Sequence, residues 1–382
     1  MVEGVRRPAW AEISRGALAA NAAALRQVLG SSALCAVVKA NGYGHGAPLA
    51  ARAAVEAGAD ALAVAIVDEG IELREAGVER PILLLAEVPA ATLPDALAAG
   101  LTVTVGSRAG ARAVVAAAER LGGVHRAHLK VDTGMHRQGV APGEVDEVVA
   151  ALLASGAVDL EGVYTHFPVA DGTSDEDREF TAGQVRALGA VVARLEGRGV
   201  RPRVVHAANS AGALGHPASR LDMARIGLAL YGYLPEPGLG APLAAAGAQL
   251  RPVLTLRARV VASRRVAAGE RPSYGRRRAL EREATVVTVP FGYADGYPRR
   301  LFEAGAEVLI GGRRYPLAGV VTMDQLLVDV GDDEVALGEE VVLLGCQGDE
   351  CIGADEWAAR AGTITWEILC GIGARVPRVV VP

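Results

Sequence analysis

The chain has 382 residues, 51% of them hydrophobic and 22% charged, with a net charge of -5. These are ordinary values for a globular protein, and the length exceeds what one core organises comfortably, so two domains are expected. The slightly acidic balance gives no general pull toward nucleic acid or anionic membrane, no apolar run approaches a bilayer span, and the opening MVEGVRRPAW lacks the apolar core of a signal peptide; a cytoplasmic protein is the expectation.

In chain order, ISRGALAANAAALRQVLG carries a helical period between Ser14, a cap residue, and Gly30, a terminator. Eight short apolar runs follow, separated by helical stretches: LCAVVKA, ALAVAIV, PILLLAE, LTVTVG, AHLKVD, LEGVYTH, VVHAAN and RIGLALYG. Runs that are apolar on both faces fit a parallel sheet covered on both sides, because strict alternation would leave one face to water. LTVTVG also reads as a half-exposed antiparallel strand. Eight βα units in about 230 residues, without a glycine-rich first turn, indicate a closed (β/α)8 barrel rather than an open doubly wound sheet.

PEPGLGAPLAAAG, residues 235–247, reads as a linker. Beyond it lie β-type segments with turn residues between them, and Gly311-Gly312 in LIGGRRYPL is a two-residue hairpin signal. The expected fold is therefore α/β, with a TIM-type barrel over residues 1–240 and a mainly antiparallel β domain over 241–382. The four cysteines, Cys35, Cys346, Cys351 and Cys370, form no CxxC pair and have no histidine at ligand spacing, so small buried thiols are expected rather than a disulfide framework or a metal site.

Only two lysines occur, Lys39 and Lys130; every other basic side chain counted with them is arginine. Arginine stays charged, whereas lysine can serve as a base or form a Schiff base. In a barrel, chemistry gathers at the C-terminal ends of the strands. Lys39 ends the first run, Lys130 and Asp132 the fifth and His166 the sixth; Asn209 and Ser210 follow the seventh, and Arg225 lies in the eighth. Loops after strands seven and eight are the usual phosphate site of barrels, and here they carry NSAG and Gly227. A lysine across from such a site points to a phosphorylated aldehyde, pyridoxal phosphate.

AVVKANGYGHG, KVDTGMHRQG, YTHF, HAANSAG, MARIGLALYG, SYG, GYADGYPR and GVVTMDQ, in this order, resemble the alanine racemases, pyridoxal-phosphate enzymes of fold type III. The resemblance runs from WAEIS near the start to EIL and RVPR at the end. It implies an isomerase that interconverts L-alanine and D-alanine, supplying D-alanine for peptidoglycan, and that works as a cytoplasmic homodimer with shared active sites. Lys39 would hold the cofactor and act as one base; Tyr274, from the partner subunit, would be the other. Both side chains ordinarily titrate near pH 10, so both need positive neighbours. The resemblance gives that role to His166 and Arg225, with Arg225 also donating to the cofactor ring nitrogen.

By the same resemblance, Tyr43, Ser210, Gly227 and Leu228 hold the phosphate, while Arg137 and the partner subunit's Met323 hold the substrate carboxylate. Lys130 is carbamylated to orient Arg137, or else is an ordinary lysine paired with Asp132, and Tyr293 lines the entrance. Ala374 stands where some members have a tyrosine, which leaves a serine or broad-specificity racemase as the alternative. A decarboxylase on a similar architecture is disfavoured by KANGYGHG with SYG, and a single-domain cofactor-binding protein by the presence of residues 245–382.

Overall fold

The computed structural model describes residues 6–382; the first five, part of the opening stretch read above, lie outside the described residues. The chain divides into two units. One comprises residues 18–42 and 47–251, and the other the described residues through Ala17 together with 43–46 and 252–382.

The first strand, β1 (Ala9–Ser14), belongs to the second unit. Ser14 then caps the helix Arg15–Leu29, its Oγ accepting from Ala17 N at 3.0 Å, and Gly30 ends that helix with φ 62. The eight apolar runs become eight strands: β2 (Ala33–Val37), β3 (Ala61–Val64), β4 (Ile82–Leu84), β5 (Val103–Val105), β6 (His125–Lys130), β7 (Val158–Tyr164), β8 (Val204–His206) and β9 (Met223–Ile226). All adjacent ladders are parallel, in two sets ordered β4-β3-β2-β9 and β5-β6-β7-β8. A bridge between Leu83 and Thr102 joins β4 to β5, and bonds from Asp222 N to Val205 O and from Arg225 N to Ala208 O (both 3.0 Å) join β8 to β9. The ring is thereby closed. LTVTVG resolves as the buried parallel strand β5.

Helices cover the barrel with apolar stripes. The longest, Asp175–Gly197, buries Thr181, Gln184, Leu188, Val191 and Leu195 at helical spacing, is capped by Ser174, and carries three acidic residues in its first turn, where the helix dipole favours them.

The second unit is antiparallel for the most part. Its larger sheet contains β10 (Leu254–Arg259), β13 (Glu307–Ile310), β14 (Arg313–Pro316), β16 (Glu340–Gln347), β17 (Glu350–Ile352) and β18 (Arg378–Val381); a three-stranded sheet holds β11 (Ala262–Val266), β12 (Ala284–Val289) and β15 (Leu326–Gly331). Gly311 and Gly312, with φ 57 and 77, make the β13–β14 hairpin turn that their sequence calls for.

Three expectations need correction. β1 pairs antiparallel with β10 and parallel with β18, so the N-terminal strand lies in the second unit rather than in a barrel spanning 1–240. The stretch read as a linker contains the helix Ala241–Ala245, anchored by buried Leu243. Cys346 and Cys351 face each other across β16 and β17 with Cα atoms 4.1 Å apart and form a disulfide, while Cys370 is exposed and only Cys35 is a buried thiol.

Candidate active site

In the barrel unit the polar residues gather at the C-terminal ends of the strands. Lys39 follows β2 and is succeeded by a left-handed turn: Ala40, Asn41, Gly42 and Tyr43 have φ of 52, 54, 61 and 52. Each non-glycine residue in that conformation costs about 1–2 kcal/mol. The turn is held by specific bonds, from Gly42 N to Val38 O (2.8 Å), from Ala47 N to Asn41 Oδ1 (2.9 Å) and from Ala40 N to Glu69 Oε1 (2.5 Å). Glu69 also accepts from Ala65 N at the start of its own helix, so one carboxylate fixes both the backbone after Lys39 and a neighbouring βα loop.

Lys130 ends β6, is buried, and donates from Nζ to Leu85 O at 3.3 Å. Its amine lies 5.7 Å from the centroid of the Tyr164 ring. Burial, followed by the charges of Arg137, Arg225 and Lys39, lowers its pKa to about 8. The anticipated pairing of Lys130 with Asp132 is not made. Asp132 turns its carboxylate into its own loop, where Oδ1 accepts from the N–H groups of Gly134, Met135 and His136, each at 3.0 Å. Arg137 is exposed on that loop.

Arg225 in β9 is buried, and its acceptors among the described residues are all neutral: Nη1 donates to His206 Nδ1 (2.7 Å), and Nη2 to Thr165 O (2.8 Å), Ala207 O (2.9 Å) and His166 Nδ1 (3.2 Å). His166, just beyond β7, is held well below its ordinary pKa, first by burial and then by Arg225, Arg137, Lys130 and Lys39. It is therefore neutral and accepts the arginine proton at Nδ1, so His166 is not the positive neighbour that the resemblance implied, and Arg225 carries that charge. Tyr164 packs under this group, with the Arg225 guanidinium 5.0 Å from its ring and the His206 ring stacked on it at 4.6 Å.

Ser210 begins the short helix Ser210–Gly215, whose cap Asn209 accepts from Gly212 N. The Ser210 Oγ accepts from Gly227 N at 3.0 Å and from Ala229 N at 3.4 Å. Two backbone donors and one hydroxyl thus converge, with Leu228 between them in the turn that follows β9.

In the second unit, Tyr43 is buried and its hydroxyl is pushed upward chiefly by burial, so it stays protonated and able to donate. Tyr274 is 74% exposed in a turn where Ser273 and Arg276 have φ of 71 and 47, braced by the Ser273 hydroxyl on Val320 O (2.6 Å). Met323 and Tyr293 are also exposed. Their two loops are bound to each other, Tyr293 N donating to Thr322 O and Ala294 N to Met323 O, both at 3.0 Å. Asp295, fully buried, ties the Tyr293 turn to Arg7 through both carboxylate oxygens and to Arg375 at 3.4 Å. Ala374, next to Arg375, is exposed.

The profile described as "Alanine racemase, N-terminal domain" matches residues 13–235, and that of "Alanine racemase, C-terminal domain" matches 253–380. The chain belongs to the alanine racemase family. It is 46% identical to the alanine racemase of Symbiobacterium thermophilum over 97% of each chain. Among solved structures, the alanine racemase of D-cycloserine-producing Streptomyces lavendulae is 40% identical, with 99% and 98% of the two chains covered and a TM-score of 0.91. The Bacillus anthracis alanine racemase with bound L-Ala-P is 35% identical over 99% and 96%, with a TM-score of 0.91. Membership makes the chain an isomerase of a family that uses pyridoxal phosphate. Among the described residues no helix is long and apolar enough to cross a membrane, and no group of three or more His, Cys, Asp or Glu could hold a metal ion.

Sequence reasoning did not assign Tyr164, His206, His128, Glu69 or Ala229. His128 was within reach, because HLK puts it two residues before Lys130 and so on the same face of the strand. Glu69 and Ala229 carry no such signal, since their contacts depend on how separate loops meet.

Proposed function

We propose that the chain racemises alanine with pyridoxal phosphate, with Lys39 and Tyr274 as the two bases and the active sites shared between the two subunits of a homodimer. The observation that carries this reading is the buried Arg225, whose four acceptors among the described residues leave its Nε–H and second Nη1–H uncommitted beside a cluster of cations. Such donors suit the ring nitrogen of pyridoxal phosphate, and the convergence of Ser210, Gly227 N and Ala229 N suits an oxyanion such as its phosphate. Lys39, Ser210, Gly227, Leu228 and Arg225 would hold the cofactor, with Tyr43 contributing its protonated hydroxyl.

When bound to the substrate amine, pyridoxal phosphate withdraws electrons from Cα and makes its proton removable. The protein's part is to move that proton. Inversion needs one base to take it from one face and a conjugate acid to return one to the other, so no oxidant or reductant is consumed. Lys39 Nζ serves one face and Tyr274 of the partner subunit serves the other. Arg225, permanently charged and a donor only, would pair with the ring nitrogen as an acceptor and so would limit the electron withdrawal the cofactor supplies, favouring return of the proton to Cα over transamination. Arg137 holds the substrate carboxylate with the backbone N–H of the partner's Met323.

The Lys130 amine, with its pKa lowered to about 8 and no carboxylate partner among the described residues, is a fitting carbamylation site, and the resulting anion would hold Arg137. Exposure of Tyr274 and Met323 suits residues donated to a second subunit. Tyr293 lines the entrance, and the small, exposed Ala374 favours a range extending to serine as the second reading. The role served is D-alanine supply for peptidoglycan in the cytoplasm.

The test is to incubate the cofactor-loaded protein with L-alanine in heavy water, following the Cα proton by NMR and the product by chiral chromatography. Loss of the proton together with formation of D-alanine is expected. Full retention of proton and configuration would overturn the reading.

A further inference from the structure

Among the described residues no carboxylate touches the buried cation Arg225, a costly arrangement unless compensation arrives by another route. The structure contains such a route. His206 Nδ1 accepts from Arg225 Nη1 at 2.7 Å, His206 Nε2 lies 2.8 Å from His128 Nδ1, and His128 Nε2 lies 3.3 Å from Glu161 Oε2. Both imidazoles are buried, and Glu161 is at the edge of solvent beside Arg203 (3.4 Å) and Arg126 (3.8 Å). We propose that His206 and His128 are positioning residues, a two-imidazole relay locked in a single tautomer that holds Arg225 in place and links it to the Glu161 carboxylate.

Donor chemistry fixes the direction of the chain. A guanidinium can only donate, so His206 Nδ1 must be bare and its proton must sit on Nε2. That proton points at His128 Nδ1, which must then be bare in turn, leaving His128 Nε2–H to donate to the carboxylate. An extra proton on either ring would set N–H against N–H. Burial holds His206 well below its ordinary pKa and lowers that of His128, so neither ring carries the extra proton near neutrality. Aligned bonds of this kind polarise one another, so the charge on Glu161 is felt at the far end of the chain.

Two local features of the backbone accommodate the relay. The β6–β7 register shifts at this point: Ala127 pairs with Leu160 but His128 pairs with Gly162, leaving Glu161 as the additional residue of a bulge. Bulges re-aim a side chain that would otherwise follow the alternation. Gly162 makes room for the ring, since a Cβ there would lie 2.7 Å from His128 Cε1 and 2.8 Å from both ring nitrogens. His206 is clamped from another side by the stacked Tyr164 ring.

The functional consequence rests on the reading that Arg225 faces the cofactor ring nitrogen. A guanidinium held by the relay keeps its remaining donors aimed; one released from it can turn away.

The experiment uses the full-length, pyridoxal-phosphate-loaded protein with 15N-labelled histidine and a 15N-labelled cofactor ring. For His206 and His128 the expected NMR result is a protonated Nε2 and a bare Nδ1 on each ring; a proton on either Nδ1 would overturn the relay. Gly162→Ala displaces the His128 ring while leaving every polar side chain of the relay unsubstituted. It is expected to abolish the single-tautomer signature of His206, shift the ring-nitrogen resonance and lower kcat by about 10- to 100-fold, as misplacement of a catalytic group does. Glu161→Gln keeps an acceptor for His128 but removes the charge, so the tautomers should persist with a smaller loss of kcat and a smaller ring-nitrogen shift. An unchanged ring-nitrogen resonance and unchanged kcat in both variants would overturn the role. A protonated ring nitrogen in the unmodified protein would instead overturn the reading of Arg225, whatever the histidine tautomers.

Discussion

The polar residues of the barrel and those of the second unit are built to opposite specifications. In the barrel, Lys130, His206 and Arg225 are buried on strand ends, with their bonding set by the ends of other strands. In the second unit, Tyr274, Tyr293 and Met323 are exposed on loops fixed by backbone bonds, while their side chains stay uncovered. The difference teaches that one group finds its bonding partners within its own unit, whereas the other stays exposed, as the proposed sharing of sites between two copies requires.

The sharpest way to break this contrast is Tyr274→Phe. Because the side chain is exposed, folding should be untouched, yet loss of one acid–base group should lower kcat/KM for racemisation by about 10²- to 10⁴-fold. Cα exchange in heavy water should persist from one alanine enantiomer and vanish from the other; equal loss from both would assign the tyrosine a general binding role.

Next in size is Arg225→Glu, which reverses the charge at the centre of the barrel cluster. Racemisation should fall by about 10²-fold or more, as with loss of a catalytic donor, and transamination should rise. Normal racemisation with no pyridoxamine phosphate detectable by chromatography would show that the guanidinium does not govern the ring nitrogen.

Lys130 provides a finer test. Replacement by Ala should raise KM for alanine by about tenfold with a lesser change in kcat, the pattern of lost substrate positioning. Mass spectrometry of the native protein equilibrated with carbon dioxide should find the added carboxylate on Lys130, and its absence would leave Arg137 oriented by its loop alone.

The smallest effect concerns stability and pH. Burial and nearby cations hold His166 and His206 well below the ordinary 6.5, so in the unfolded chain they take up protons that the folded chain refuses. Their contribution is complete above about pH 6.5 and is lost as pH falls toward the depressed folded values. Urea midpoints should decline over that range, and His206→Gln should flatten the decline; an unchanged slope would mean that the imidazole is not held neutral.

Much of the barrel half was legible in the sequence. Eight apolar runs ending in polar residues determine both the strands and the end at which Lys39, Lys130, His166 and Arg225 collect, because burial on both faces leaves polar groups only at the termini. The Gly311-Gly312 hairpin was legible for a local reason, the positive φ its turn demands. What escaped depends on distant register. Nothing within AWAEIS says that β1 pairs with β10, some 240 residues away. The Cys346–Cys351 pairing follows from β16 meeting β17 in one register, and the approach of Glu161 to His128 from a bulge with no marker of its own. The exposure of Tyr274 was implied only through the family resemblance.

The most direct measurement mixes two inactive variants, Lys39→Ala and Tyr274→Phe, after unfolding and joint refolding with pyridoxal phosphate. In a two-fold dimer with shared sites, the mixed species holds one site with both native bases, so random pairing should restore about a quarter of the unmodified activity. No recovery, with mixed dimers demonstrated by mass spectrometry, would show that Lys39 and Tyr274 do not meet across the subunits and would contradict the shared site.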